Sequence, residues 1–171
     1  MIRALLMLGA VVSSGACERA ASDPAPTPTS APERAAPAAA TVPRALAWET
    51  DERAAFTRAA AEGKGVMIDF RSEWCAPCKE YEAVTFVDRA VIAHVAPRYV
   101  ALQIDLTADG PAEQAIMERY RVDTLPTVMF AAANAVELGR VTEFLPPKPF
   151  LATATSIADR SAARAAPPPA R

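Results

Sequence analysis

The chain has 171 residues, with 18 Lys and Arg against 20 Asp and Glu for a net charge of −2. Charge this balanced, with no block of like sign, gives no basic stripe for nucleic acid and no acidic tail for a cationic partner. Alanine inflates the apolar fraction, and the length fits one domain with tails.

In chain order, Met1-Ile2-Arg3 supplies a positive start and residues 4–12 an apolar run too short to stay in a bilayer. The small residues Ser13-Ser14-Gly15-Ala16 then lead to Cys17, so residues 1–16 are expected to be a signal peptide. Gly15-Ala16-Cys17 resembles a bacterial lipobox, in which the cysteine is lipidated and becomes the first mature residue. The third position before it is usually Leu and is Ser14 here, and the same Ser14-x-Ala16 pattern also suits an ordinary signal peptidase. Lipidation of Cys17 would account for the odd third cysteine of an exported chain. Two locations follow: the periplasmic side of a bacterial membrane, held through Cys17, or the soluble periplasm. Contact with the membrane is expected only through that anchor.

Residues 17–45 are a Pro/Ala-rich tether expected to be disordered, because such composition cannot bury enough apolar surface to offset chain entropy. If extended like polyproline, it reaches roughly 80 Å at about 3.1 Å per residue. The foldable part is residues 46–160, and residues 161–171 repeat the tether's bias as a disordered tail.

Within the domain, Thr50-Asp51-Glu52 reads as a helix start with a capping hydroxyl, and the helix ends near Gly63-Lys64-Gly65. Val66-Met67-Ile68-Asp69-Phe70 reads as a buried central strand. A helix follows over residues 76–84 and another over 88–96, stopped by Pro97, then a strand over 99–104. Asp109-Gly110-Pro111 opens a helix carrying Ile116, Met117 and Tyr120. Residues 127–131 and 136–142 read as an antiparallel pair around Asn134, and Pro149 opens a last helix with Phe150, Leu151, Ala154, Ile157 and Ala158 on one side. The order is β-α-β-α-β-β-α with an extra helix in front, which implies an α/β fold: a central mixed sheet flanked by helices on both faces.

The chemistry-bearing motif is Glu73-Trp74-Cys75-Ala76-Pro77-Cys78-Lys79. If Ala76 opens a helix, Cys75 lies at its amino end and Cys78 one turn on, on the same face. Unpaired N–H groups and the helix dipole there favour a thiolate, so Cys75 is the expected nucleophile and Cys78 the resolving thiol of a Cys75–Cys78 disulfide. Pro77 has no N–H to lose at a helix start. A zinc site needs four ligands, and His94 is the only histidine, with no second Cys-x-x-Cys; neither metal nor cofactor is expected. An inert disulfide would close too small a loop to stabilise much.

Asp69 sits in an apolar strand, where a carboxylate is costly and burial raises its pKa, unless it reaches solvent at the strand end. Glu82 is one turn beyond Cys78 and is either part of the site or an exposed helical acid paired with Lys79. Trp74 either covers the thiol and adds contact area for substrate or is a plain core residue.

Trp74-Cys75-Ala76-Pro77-Cys78-Lys79 in this element order resembles the thioredoxin superfamily, with Leu125-Pro126-Thr127 similar to its cis-proline loop. Gly63-Lys64-Gly65-Val66-Met67-Ile68-Asp69, Cys78-Lys79-Glu80-Tyr81-Glu82, Thr85-Phe86, Asp88 and Leu106-Thr107-Ala108 are similar to the C-terminal periplasmic domain of the thiol:disulfide interchange protein DsbD. The resemblance covers residues 48–158. It implies that Asp69 accepts the Cys78 proton, that Glu82 modulates the cysteines, that Pro126 is cis, and that the Leu125 backbone pairs with an extended substrate segment. The implied activity is an exported protein-disulfide reductase working as a monomer on disulfide-containing proteins. DsbD also carries a membrane-spanning domain and a second periplasmic domain, which do not resemble any part of this sequence, so a separate membrane electron donor is expected. An oxidase, a cytochrome-maturation thioredoxin and a non-catalytic redox-sensing or binding lipoprotein are the alternatives.

Overall fold

The computed structural model of the protein describes residues 42–165. The signal-peptide reading, Cys17, most of the tether and the end of the tail lie outside the described residues. Five strands form one mixed sheet in the order β1-β3-β2-β4-β5. They are β1 (Trp48–Glu49), β2 (Gly65–Arg71), β3 (Tyr99–Asp105), β4 (Thr127–Ala131) and β5 (Glu137–Val141). The first three run parallel, while β4 pairs antiparallel with both β2 and β5. Helices α1 (Glu52–Glu62), α2 (Ala76–Glu80), α3 (Arg89–Val95), α4 (Pro111–Tyr120) and α5 (Pro147–Ala165) complete the domain.

Alternation along the central strand divides the core. Val66, Ile68 and Phe70 join the cluster built with Ala55 and Ala59 of α1, against which Ile116, Met117 and Tyr120 of α4 pack. Met67 belongs to the opposite cluster, with Tyr81 and Phe86 from the segment after α2, Val91 from α3, and Phe150 and Ile157 from α5. Asp69 and Arg71 share Met67's side of the strand, so the pleat delivers both beneath the segment after α2, beside Tyr81 and Glu82.

Three local features differ from the pattern read along the sequence. The cap of α1 is the Asp51 carboxylate, which accepts from the Ala54 N–H at 2.7 Å, rather than the Thr50 hydroxyl. After Glu80 the helix widens into a π-helical turn, Tyr81–Thr85, instead of continuing to Val84 as α-helix. The turn is held because the buried Tyr81 hydroxyl donates to the Glu143 carbonyl at 2.7 Å and accepts from the Leu145 N–H at 3.1 Å. At the ends, Val42 packs on the core and the Arg89 guanidinium donates to the Pro43 carbonyl at 2.7 Å, so the packed chain starts before residue 46. Helix α5 opens at Pro147, two residues before Pro149, and runs on to Ala165, past residue 160.

Gly65 begins β2 because nothing larger fits. A Cβ there would lie 2.6 Å from the Ala131 carbonyl oxygen and 2.9 Å from the Tyr99 ring. Backbone on one side leaves no room to yield, so Gly65→Ala is expected to cost about 1–3 kcal/mol, read as a lower urea midpoint with an unchanged slope.

Candidate functional site

The site lies where β2 ends. The loop after Arg71 is pinned by the Thr107 hydroxyl, which accepts from the Glu73 N–H at 2.8 Å while bonding Asp105. Cys75 follows as the N-cap of α2 with extended backbone, φ −86° and ψ 101°, and its N–H donates to the Ser72 carbonyl at 3.2 Å. Cys75 and Cys78 form a disulfide, with Cα atoms 5.3 Å apart. The Cys78 N–H donates to the Cys75 sulfur at 3.2 Å. That donor faces the sulfur where a thiolate would form on reduction, and a hydrogen bond to the charged form favours ionisation of Cys75 over an ordinary thiol. Cys75 is 5% exposed and Cys78 1%, so the first cysteine is the more open of two buried residues.

Asp69 is 1% exposed, which removes the alternative that its carboxylate reaches solvent at the strand end. Burial pushes the carboxyl up to about 7; the Gln103 hydrogen bond opposes this, the Glu82 charge adds to it and Arg71 opposes it. Its only hydrogen bond among the described residues comes from the Gln103 amide, at 3.3 Å to Oδ2, and Oδ1 has no partner. The same amide nitrogen donates to Glu82 Oε1 at 3.4 Å. Glu82 is ion-paired with Arg71 at 2.7 Å, not with Lys79, because the π-helical turn carries it over the sheet. Arg71 also bonds Asp105 at 3.1 Å.

The remaining predicted residues are Trp74, Leu125 and Pro126. The Leu125–Pro126 peptide is cis, and Pro126 is buried at the start of β4. Phe70 faces Thr127 in the antiparallel register, so Pro126 leads into β4 at the end of β2 from which the cysteine loop departs. The Thr127 hydroxyl fixes the bend by donating to the Thr124 carbonyl at 2.8 Å. Trp74 is 64% exposed and therefore not a core residue. It shares a cavity of about 320 Å³ with Leu106, Met117, Thr124 and Leu125, to which Asp109 and Asp123 also contribute. A larger cavity of about 520 Å³ is lined by Tyr99, Val100 and Ala101, at the far end of the sheet, and holds none of the predicted residues. Among the described residues no cluster of His, Cys, Asp and Glu could hold a metal ion, and no helix is long and apolar enough to cross a membrane.

Arg71 and Gln103 were not identified from the sequence. A weak signal exists for each: Arg71 lies two residues from Asp69 on the same face, and Gln103 is the one polar residue of an otherwise apolar predicted strand.

The sequence pattern of the thioredoxin-like domain family matches residues 53–157. Over 94 residues the chain is 40% identical to the thiol:disulfide interchange protein DsbD of Actinobacillus pleuropneumoniae, covering 54% of this chain and 16% of that protein. It is 37% identical to DsbD of Vibrio cholerae over 101 residues, covering 58% and 17%. The chain thus spans about a sixth of the length of these relatives. Among solved structures, the oxidised C-terminal domain of Neisseria meningitidis DsbD superposes with a TM-score of 0.58 at 26% identity, covering 64% of this chain and 98% of that one. A Thermus thermophilus thioredoxin superposes with a TM-score of 0.62 at 28% identity, covering 71% and 94%.

Proposed function

The chain belongs to the thioredoxin-like family, and we propose that it is an exported thiol:disulfide oxidoreductase that reduces protein disulfides through Cys75 and Cys78. The observation carrying this reading is a disulfide-bonded Cys-x-x-Cys pair at a helix start, its first cysteine the more exposed of the two, in a domain that also buries a carboxyl held at about 7.

The Cys75 thiolate attacks one sulfur of a substrate disulfide. The substrate S–S bond breaks, its leaving sulfur takes a proton, and Cys75 becomes joined to substrate in a mixed disulfide. Cys78 passes its proton to Asp69 and attacks the Cys75 sulfur, releasing the second substrate thiol. Two electrons have moved to substrate, and Cys75–Cys78 is left oxidised. Trp74 and the loop at Leu125 and cis-Pro126 supply the surface for an extended substrate segment, whose backbone pairs with that of Leu125. Glu82 acts through Asp69 rather than on sulfur.

The positive start, apolar run and Gly15-Ala16-Cys17 support export to the periplasm and anchoring through a lipidated Cys17. In an oxidising compartment a dithiol does not persist unaided, so a separate membrane dithiol donor resets the pair. The test is insulin reduction with dithiothreitol as electron source. Catalytic amounts of the protein should speed precipitation of the insulin B chain well beyond dithiothreitol alone; no acceleration rejects the proposal.

A further inference from the structure

Parallel pairing of β2 with β3 sets Gln103 beside Asp69 and Asp105 beside Arg71. These four residues lie on one face, and the π-helical turn brings Glu82 over them. Arg71 is the one cation of the group. Its side chain is only 12% exposed, and it spans from Glu82, at 2.7 Å, to Asp105, at 3.1 Å. Nη1 donates a hydrogen bond to Asp105, whereas Nε meets Glu82 as an ion pair without hydrogen-bond geometry, so the guanidinium acts on Glu82 through its charge.

We propose that Arg71 is a positioning residue for the exchange reaction: it holds and neutralises the Glu82 carboxylate, so that Asp69 alone carries the proton taken from Cys78. This rests on the reading of the protein as a thiol:disulfide oxidoreductase.

The groups facing Asp69 can be named from every packed element. From the π-helical turn come the Tyr81 phenol and Glu82; from β2, Arg71; from β3, the neutral Gln103 and, through Arg71, Asp105; from β4, the uncharged Val128. Glu82 is therefore the nearby negative charge that raises the Asp69 carboxyl, and Arg71 the positive one that lowers it. With the guanidinium gone, two carboxylates would share one amide donor. Asp69 would then hold its proton to higher pH and accept the Cys78 proton less readily.

The experiment follows the Asp69 carboxyl carbon by NMR against pH in the full disulfide-bonded chain, with Asp69→Asn assigning the signal. Arg71→Met should move the Asp69 midpoint up by about one pH unit. Arg71→Lys, which keeps the charge, should stay close to the parent, and Glu82→Gln should move the midpoint down. A merely structural arginine would lower thermal stability and leave the midpoint in place. An unmoved midpoint in Arg71→Met, or equal displacement in Arg71→Lys, overturns the inference. If Arg71→Met does not fold, an unmoved Glu82→Gln or a displaced Arg71→Lys overturns it. The titration needs no substrate, so failure of insulin reduction counts against the activity and failure here against the role of Arg71.

Discussion

Cys75→Ser abolishes disulfide exchange, whereas Cys78→Ser stops it halfway and leaves the protein bonded to its substrates. The two variants differ because the two sulfurs sit differently. Cys75 caps α2, receives an N–H from Cys78 and has the greater exposure, so it is the one placed to meet an incoming disulfide. Cys78 is sealed from solvent, and its reach is limited to the Cys75 sulfur. Without Cys78 the first step still runs and the mixed disulfide waits for an external thiol. Turnover in either variant should fall to the uncatalysed rate. Non-reducing gels of Cys78→Ser should display bands that vanish with dithiothreitol and are missing in the double variant. If Cys75→Ser retains turnover, or Cys78→Ser traps nothing, the assignment of roles fails.

Asp69→Asn has the second largest effect, and it acts on rate and stability in opposite directions. Asparagine cannot take the Cys78 proton, so release of the mixed disulfide at neutral pH should slow about 100-fold, at the low end of what a positioned base contributes. The parent rate should climb as pH rises through about 7, where Asp69 ionises, while the variant lacks that limb. The gap should narrow above about pH 8.5, where a free thiol ionises without help.

The sign for stability follows from the same burial. The Asp69 carboxyl titrates near 7 in the fold against 3.8 for an unperturbed group, so the folded state binds the proton more tightly than the unfolded chain. That contribution is fully present below about pH 4 and is lost as pH rises through about 7, at ~1.4 kcal/mol per pH unit between them. Asp69→Asn keeps an acceptor for the Gln103 amide but removes the charge. Its stability should be nearly flat over this range and exceed the parent's by a few kcal/mol at pH 8. Urea denaturation of the disulfide form at pH 4 and pH 8 measures this directly; parallel losses in both proteins would contradict it.

How far these features could be read beforehand depended on their range along the chain. The central strand and both cysteines were visible because five apolar-rich residues after glycine, and two thiols three apart, are local patterns. Strand β1 was not, since Trp48 and Glu49 are too short to have a period and exist only by pairing with Ala101 and Leu102. The π-helical turn was hidden because it is stabilised by bonds from Tyr81 and Thr85 to residues sixty positions away, at Glu143 and Leu145. That turn decides the Glu82 partner: an α-helix keeps Lys79 in view, whereas the wider turn gives Glu82 to Arg71. The polar group of Asp69, Gln103, Arg71 and Asp105 likewise needs the β2–β3 register, which composition does not encode. Trp74 was ambiguous because tryptophan suits a core as well as a binding surface.

The central claim is that this dithiol gives electrons to protein disulfides. Its most direct test is the reduction potential of the Cys75–Cys78 pair, set by equilibration with defined glutathione or dithiothreitol mixtures. A reductase predicts a value near that of thioredoxin, about −270 mV, whereas a value near −120 mV would make the pair an oxidant and contradict the account.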